Sequence, residues 1–130
     1  MKNKKRLLFD CVDSYNKCTN DWIDKFYSRD LEWIAMPSAS VPKGRKGGFN
    51  EFYQFANNAL NFFKDRKLKV LRSFVDDNTV ILEQEWSATL PQDIGSMKKG
   101  EITKQMIISI FEVDHDLIVQ QTDYMVPALE

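Results

Sequence analysis

The sequence predicts an α+β fold, one mainly antiparallel sheet packed against three helices in a single domain spanning residues 1–130. Three observations predict it. Apolar residues recur at helical spacing in three segments of the first half. Four strand-like segments follow in series after Asp65-Arg66, most of them joined by short polar turns. Consecutive strands with short turns pair as an antiparallel meander, whereas a doubly wound fold would place helices between them.

Leu8, Cys11, Tyr15 and Cys18 fall on one helical face, so Lys4 to Lys17 predicts an amphipathic helix. Thr19 stands where an N-cap would begin a shorter helix from Asn20 to Tyr27, with Asp21 in its first turn and Trp22, Ile23 and Phe26 inward. Leu31 to Met36 predicts a strand centred on Trp33 and stopped by Pro37. Ser38 to Gly48 is a loop holding Pro42, Gly44, Gly47 and Gly48 with Lys43, Arg45 and Lys46. A basic glycine-rich loop before a helix can attract anions. Its Gly-Arg-Lys-Gly-Gly run matches neither nucleotide-binding loop pattern, and a solvated loop is the simpler expectation.

Phe49 to Lys64 predicts the third helix, with Phe49, Phe52, Tyr53, Ala56, Leu60 and Phe63 on one stripe. Such an aromatic stripe belongs to a helix packed deep in the core. Strands are expected over Lys67–Val75, Thr79–Ala88 and Glu101–Val113. Asp76-Asp77-Asn78 forms a turn between the first two, and Leu90 to Lys99 a longer connection. Asp114-His115-Asp116 turns the chain into the last strand, Ile118 to Val126.

Composition bounds the function. At 130 residues, 43% hydrophobic and 28% charged, the chain has the make-up of one globular domain. Eighteen basic and nineteen acidic residues leave a net charge of −1, which provides no general footprint for nucleic acid or an anionic membrane. Lys2, Lys4, Lys5 and Arg6 begin like a secretory leader, but Asp10 interrupts Leu7-Leu8-Phe9 at once. No apolar run approaches the ~20 residues of a membrane span. A cytoplasmic protein is expected. Cys11 and Cys18 on one helix would lie about 10 Å apart, too far for a disulfide, so both are expected as free thiols. One histidine and no close Cys/His/carboxylate cluster predict no structural metal site.

Asp123 is the residue that points to chemistry. Acids are depleted from strands and costly to bury without a partner, and a buried one has a perturbed pKa. Alternation puts Val119, Gln121, Asp123 and Met125 on one face, with Ile118, Gln120, Thr122, Tyr124 and Val126 on the other. The preceding strand has Met106, Ile108 and Ile110 on one face and Ile107, Phe111 and Val113 on the other. Helices can cover only one of these apolar faces, so the other predicts a homodimer through the sheet.

The element order, the strand Asp30-Leu31-Glu32-Trp33-Ile34-Ala35-Met36-Pro37, the segment Glu85-Trp86-Ser87-Ala88-Thr89 and the closing Asp123-Tyr124 together resemble the nuclear-transport-factor-2-like superfamily. Within it the chain is most similar to SnoaL-like polyketide cyclases and ketosteroid isomerase-related proteins. The resemblance implies a strongly curved sheet wrapped around the long helix, a cone with one deep, mostly apolar pocket. It implies a hydrophobic polyketide-, steroid- or terpenoid-like ligand and an isomerase or cyclase acting without a cofactor. Compared with ketosteroid isomerase-like proteins, Met36 stands at the place of the base aspartate and Cys11 near that of the tyrosine donor. Compared with limonene epoxide hydrolase-like proteins, Gln84 and Trp86 stand at the places of an arginine and an aspartate. Asp123 is the residue that matches the acid–base aspartate of SnoaL-like cyclases.

The pocket lining so implied comprises Tyr15, Trp33, Met36, Phe55, Gln84, Trp86 and Gln105, with Asp123 as the catalytic group. Each has a plainer alternative. Asp123 can instead be a hydrogen-bonded acid at the cone mouth, paired with Lys104 or Arg72. Tyr15 can anchor the first helix, and Gln84 and Gln105 can be surface glutamines. Glu83 and Glu85 fit a solvated or dimer-facing stripe, and His115 an exposed turn. The whole domain can equally be a non-catalytic ligand-binding or homodimerisation module.

Overall fold

The structure, a computed structural model, describes residues 3–129; Lys2 of the basic N-terminal cluster lies outside the described residues. Helices α1 (Lys4–Tyr15), α2 (Asp21–Phe26) and α3 (Phe49–Phe62) pack on one face of a six-stranded sheet. Its strands are β1 (Tyr27–Ala35), β2 (Arg45–Gly47), β3 (Lys67–Asp76), β4 (Thr79–Thr89), β5 (Ile102–Asp114) and β6 (Leu117–Pro127), in the order β2-β1-β6-β5-β4-β3. All neighbours are antiparallel except β1 and β6, which run parallel. The sheet curls without closing, the expected α+β cone.

Local chemistry accounts for the elements and for the differences from expectation. The Asn3 side chain caps α1 by accepting from the Arg6 amide. That helix ends at Tyr15, short of Lys17, because Asn16 turns its amide onto both backbone groups of Leu68 in β3. Cys18 then takes a positive φ of 59° outside the helix. Thr19 does not cap α2. Asn20 occupies that position without a side-chain cap, and the Thr19 hydroxyl donates to the Asp21 carboxylate instead. Tyr27 opens β1 and does not end α2. The loop expected over residues 38–48 contains β2, whose register sets Trp33 opposite Gly47.

The β5–β6 turn has positive φ at both His115 (50°) and Asp116 (61°), the geometry that suits the twist of a two-residue hairpin. Irregular register between Tyr27 and Glu32, Val70 and Arg72, and Glu112 and Val113 bends β1, β3 and β5–β6. The last of these corrects the expected faces of β6: Ile118 turns inward and is fully buried with Val80, Leu82, Phe111 and Val113. Leu7, Leu8 and Ile23 close the core from the helix side. Among the described residues, no helix is long and apolar enough to cross a membrane.

Candidate functional site

The site is built where β1, β5 and β6 run side by side. Their register places Ala35 and Ser109 on either side of Asp123, and Trp33 and Phe111 on either side of Gln121. Alternation along each strand therefore turns Trp33, Ser109, Gln121 and Asp123 toward the helices together.

Four polar contacts converge on the Asp123 carboxylate. Ser109 Oγ donates to Oδ1 at 2.7 Å, and Trp33 Nε1 donates to Oδ2 at 3.2 Å. The Gln121 amide nitrogen donates to both oxygens at 3.0 Å. The orientation of that amide is set from its other end, where the Tyr27 hydroxyl donates to Gln121 Oε1 at 2.5 Å. Cys11 is buried in the same core cluster as Tyr27. On the opposite side, Gln84 Nε2 donates to Ser109 Oγ at 3.2 Å. A chain of neutral donors thus runs from Tyr27 and from Gln84 and ends on a single carboxylate.

Asp123 keeps some accessible surface as a residue, yet its carboxylate is enclosed by protein. That desolvation raises its pKa, against the opposing pull of the Ser109, Gln121 and Trp33 hydrogen bonds. Among the described residues, no cation forms a salt bridge with it. Arg72 and Lys104, its alternative partners, are bound to Glu83 at 2.7 Å and Glu85 at 3.7 Å on the outer face of the sheet. Burial also pushes the Cys11 thiol and the Tyr15 phenol up to about 12, and the Tyr27 phenol well above its ordinary value. All three are protonated at neutral pH. The two Gln121 contacts share one nitrogen, so three donors meet the roughly four lone-pair sites at which a carboxylate accepts.

The interior beside this carboxylate is aromatic. Trp33 packs at 5.4 Å on Phe52 and at 5.0 Å on Phe55. Tyr15 accepts a hydrogen bond from Trp86 Nε1 at 3.0 Å, tying α1 to β4, and its ring meets Trp22 at 5.2 Å. Two cavities of about 220 and 250 Å³ flank α1, one against Leu68 and Val70, the other against Lys25 and Phe26. Asp123 lines neither of them.

Of the residues expected from sequence, Trp33, Gln84 and Asp123 come together in one hydrogen-bonded group. Phe55 packs on Trp33 with the rings tilted by 43°, while Tyr15 and Trp86 form a second pair. Gln105 is half-buried opposite Trp86 and takes no part in the bonds around Asp123. Met36 meets the site through its backbone, its amide donating to the Asp123 carbonyl at 2.9 Å. His115 lies in the exposed turn beside Asp114. Sequence reasoning missed Ser109, Gln121 and Tyr27 as functional partners. Gln121 was two residues before Asp123 on its own face, and Ser109 was the hydroxyl between apolar Ile107 and Phe111. Among the described residues, no cluster of three or more His, Cys, Asp or Glu is arranged to hold a metal ion.

No family model matches the sequence. No curated protein matches it either. The backbone is similar to several solved structures. IdmH from Streptomyces antibioticus, described as a candidate polyketide cyclase, aligns over 95% of this chain and 92% of its own at 12% identity, with a TM-score of 0.81. A SnoaL-like polyketide cyclase from Agrobacterium tumefaciens aligns over 96% and 92% at 11% identity, with a TM-score of 0.74. A protein of ketosteroid isomerase-like fold from Catenulispora acidiphila, in complex with trimethylamine, aligns over 91% and 83% at 7% identity, with a TM-score of 0.73. At such identities the likeness is one of fold. The chain therefore has the nuclear-transport-factor-2-like cone fold shared by SnoaL-like polyketide cyclases and ketosteroid isomerase-like proteins.

Proposed function

We propose that this chain binds a hydrophobic small molecule inside the cone and uses Asp123 as a proton acceptor and donor, in an isomerisation or ring closure that needs no cofactor. One observation carries the reading: an enclosed carboxylate with a raised pKa, held by neutral donors from three elements. Proton transfer is most efficient when the pKa of the group approaches the working pH, and burial moves Asp123 in that direction. Ser109 and Gln121 orient the carboxylate, and Trp33 and Phe55 supply the apolar wall against which a flat ligand would lie. The solved neighbours named as polyketide cyclases agree with this class of ligand.

A second reading has its own support. The four contacts on Asp123 and the packed rings around it suit a module that holds a ligand, or a second copy of itself, without turnover. For the second copy, the outer sheet face offers Leu71, Phe74, Ile108, Tyr124 and Val126, all more than 40% exposed. Turnover of a polycyclic polyketide or ketosteroid panel, compared between wild type and Asp123→Asn, separates the two. Catalysis by Asp123 predicts a loss of at least about a hundredfold in kcat, the usual worth of a general acid–base group. Equal turnover by both proteins would overturn the catalytic reading, while binding without turnover by either would favour the module.

A further inference from the structure

Arg66, in the turn between α3 and β3, is buried to 1% exposure. Its guanidinium lies 3.8 Å from the centre of the Tyr15 ring, and its Nη1 donates to the Tyr15 carbonyl at 3.1 Å. Its Nη2 is buried and has no hydrogen-bond partner. No carboxylate forms a salt bridge with it among the described residues. An arginine stays charged when buried, so the mismatch is not relieved by losing a proton. Burying an unpaired cation is costly, and stacking on an aromatic ring offsets only part of that cost.

The neighbouring donors share this state. Trp22, whose ring packs 5.2 Å from that of Tyr15, has a buried Nε1 with no acceptor. The Tyr15 hydroxyl accepts from Trp86, and its own proton goes to no acceptor among the described residues. Three donors with spare hydrogens, one of them on a permanent cation, thus belong to Tyr15 and the two side chains packed on its ring. A neutral carbonyl would satisfy the hydrogens but leave the charge. A carboxylate accepts only, matches the planar guanidinium and neutralises it. Asp123 does not fill this role, since its contacts go to Ser109, Gln121 and Trp33.

Building on the pocket reading above, we propose that the ligand of the cone is a hydrophobic carboxylic acid whose carboxylate is received by Arg66 beside Tyr15 and Trp22. The test uses two flat probes of the same shape, 2-naphthoate and neutral 2-naphthamide, titrated at pH 7 into the full chain by calorimetry. Wild type is expected to bind naphthoate at least about tenfold more tightly than naphthamide, a difference within reach of one charge-assisted fork. Arg66→Met should abolish that preference, bringing naphthoate affinity down to about that of naphthamide in the same variant. Should the methionine variant not fold, Arg66→Gln removes the charge and keeps a donor for the Tyr15 carbonyl. Equal binding of both probes by wild type, or a preference that survives in the neutral variant, overturns the carboxylate assignment and leaves the pocket reading standing. Binding of neither probe overturns both.

Discussion

At the scale of single residues, Asp123 is held between two opposed effects, enclosure that raises its pKa and three neutral donors that lower it. Removing a donor should therefore raise the pKa further, and Ser109→Ala, which takes away the 2.7 Å bond, is the cleanest case. A carbon-13 titration of the Asp123 carboxyl should shift to higher pH in that variant; a downward shift would contradict the stated balance. Linkage gives the sign for stability. A carboxyl whose pKa is raised on folding binds more protons in the native state. Its contribution therefore falls as pH rises from the ordinary carboxylate range through the native pKa. Asp123→Asn removes that fall, so its stability relative to wild type should improve across this interval. Its baseline should still be lower by about 1–3 kcal/mol, because an amide nitrogen then faces the Gln121 and Ser109 donors. The sequence on its own suggests a nearly neutral substitution, since it does not reveal how many donors meet the carboxylate. Asp123 was legible because an acid in an apolar strand is rare. Tyr27 was not, because its role depends on β1 beginning directly where α2 ends.

At the scale of elements, the long segments follow their patterns and the short one does not. The aromatic stripe of α3 puts Phe52 at the centre of the interior, against Trp22, Tyr27 and Trp33. Phe52→Ala should cost about 3–5 kcal/mol in denaturant unfolding. β2 was illegible because Arg45-Lys46-Gly47 has little strand propensity; the open edge of β1 supplies the pairing. Its approach depends on Gly44, which has φ +69° and sits so close to Ala35 that an added Cβ would stand 2.6 Å from the Ala35 carbonyl oxygen. Gly44→Ala should therefore destabilise by about 1–3 kcal/mol and loosen the β1–β2 pair, seen as faster amide exchange at Ile34 and Lys46. Unchanged exchange would show that the turn tolerates a side chain. The inward turn of Ile118 was likewise hidden, because strict alternation does not anticipate the irregular register near Glu112.

At the scale of the molecule, segment order alone predicted the α+β class, and the family resemblance supplied the cone. The parallel β1–β6 pairing at its centre needed the structure. The pairing matters because it sets Trp33, Ser109 and Asp123 side by side. The outer face of the same sheet leaves Phe74 on β3, Ile108 on β5, and Tyr124 and Val126 on β6 about half exposed, more apolar surface than a sheet turned to water usually carries. If this face pairs two copies, light scattering should give twice the mass of one chain for wild type and a single mass for Ile108→Lys; a monomeric wild type would contradict the pairing. The most direct test of the proposed function is the carbon-13 titration of the Asp123 carboxyl in the wild-type chain. The account predicts a midpoint above the ordinary aspartate value of about 3.9, and a midpoint at or below it would contradict the account.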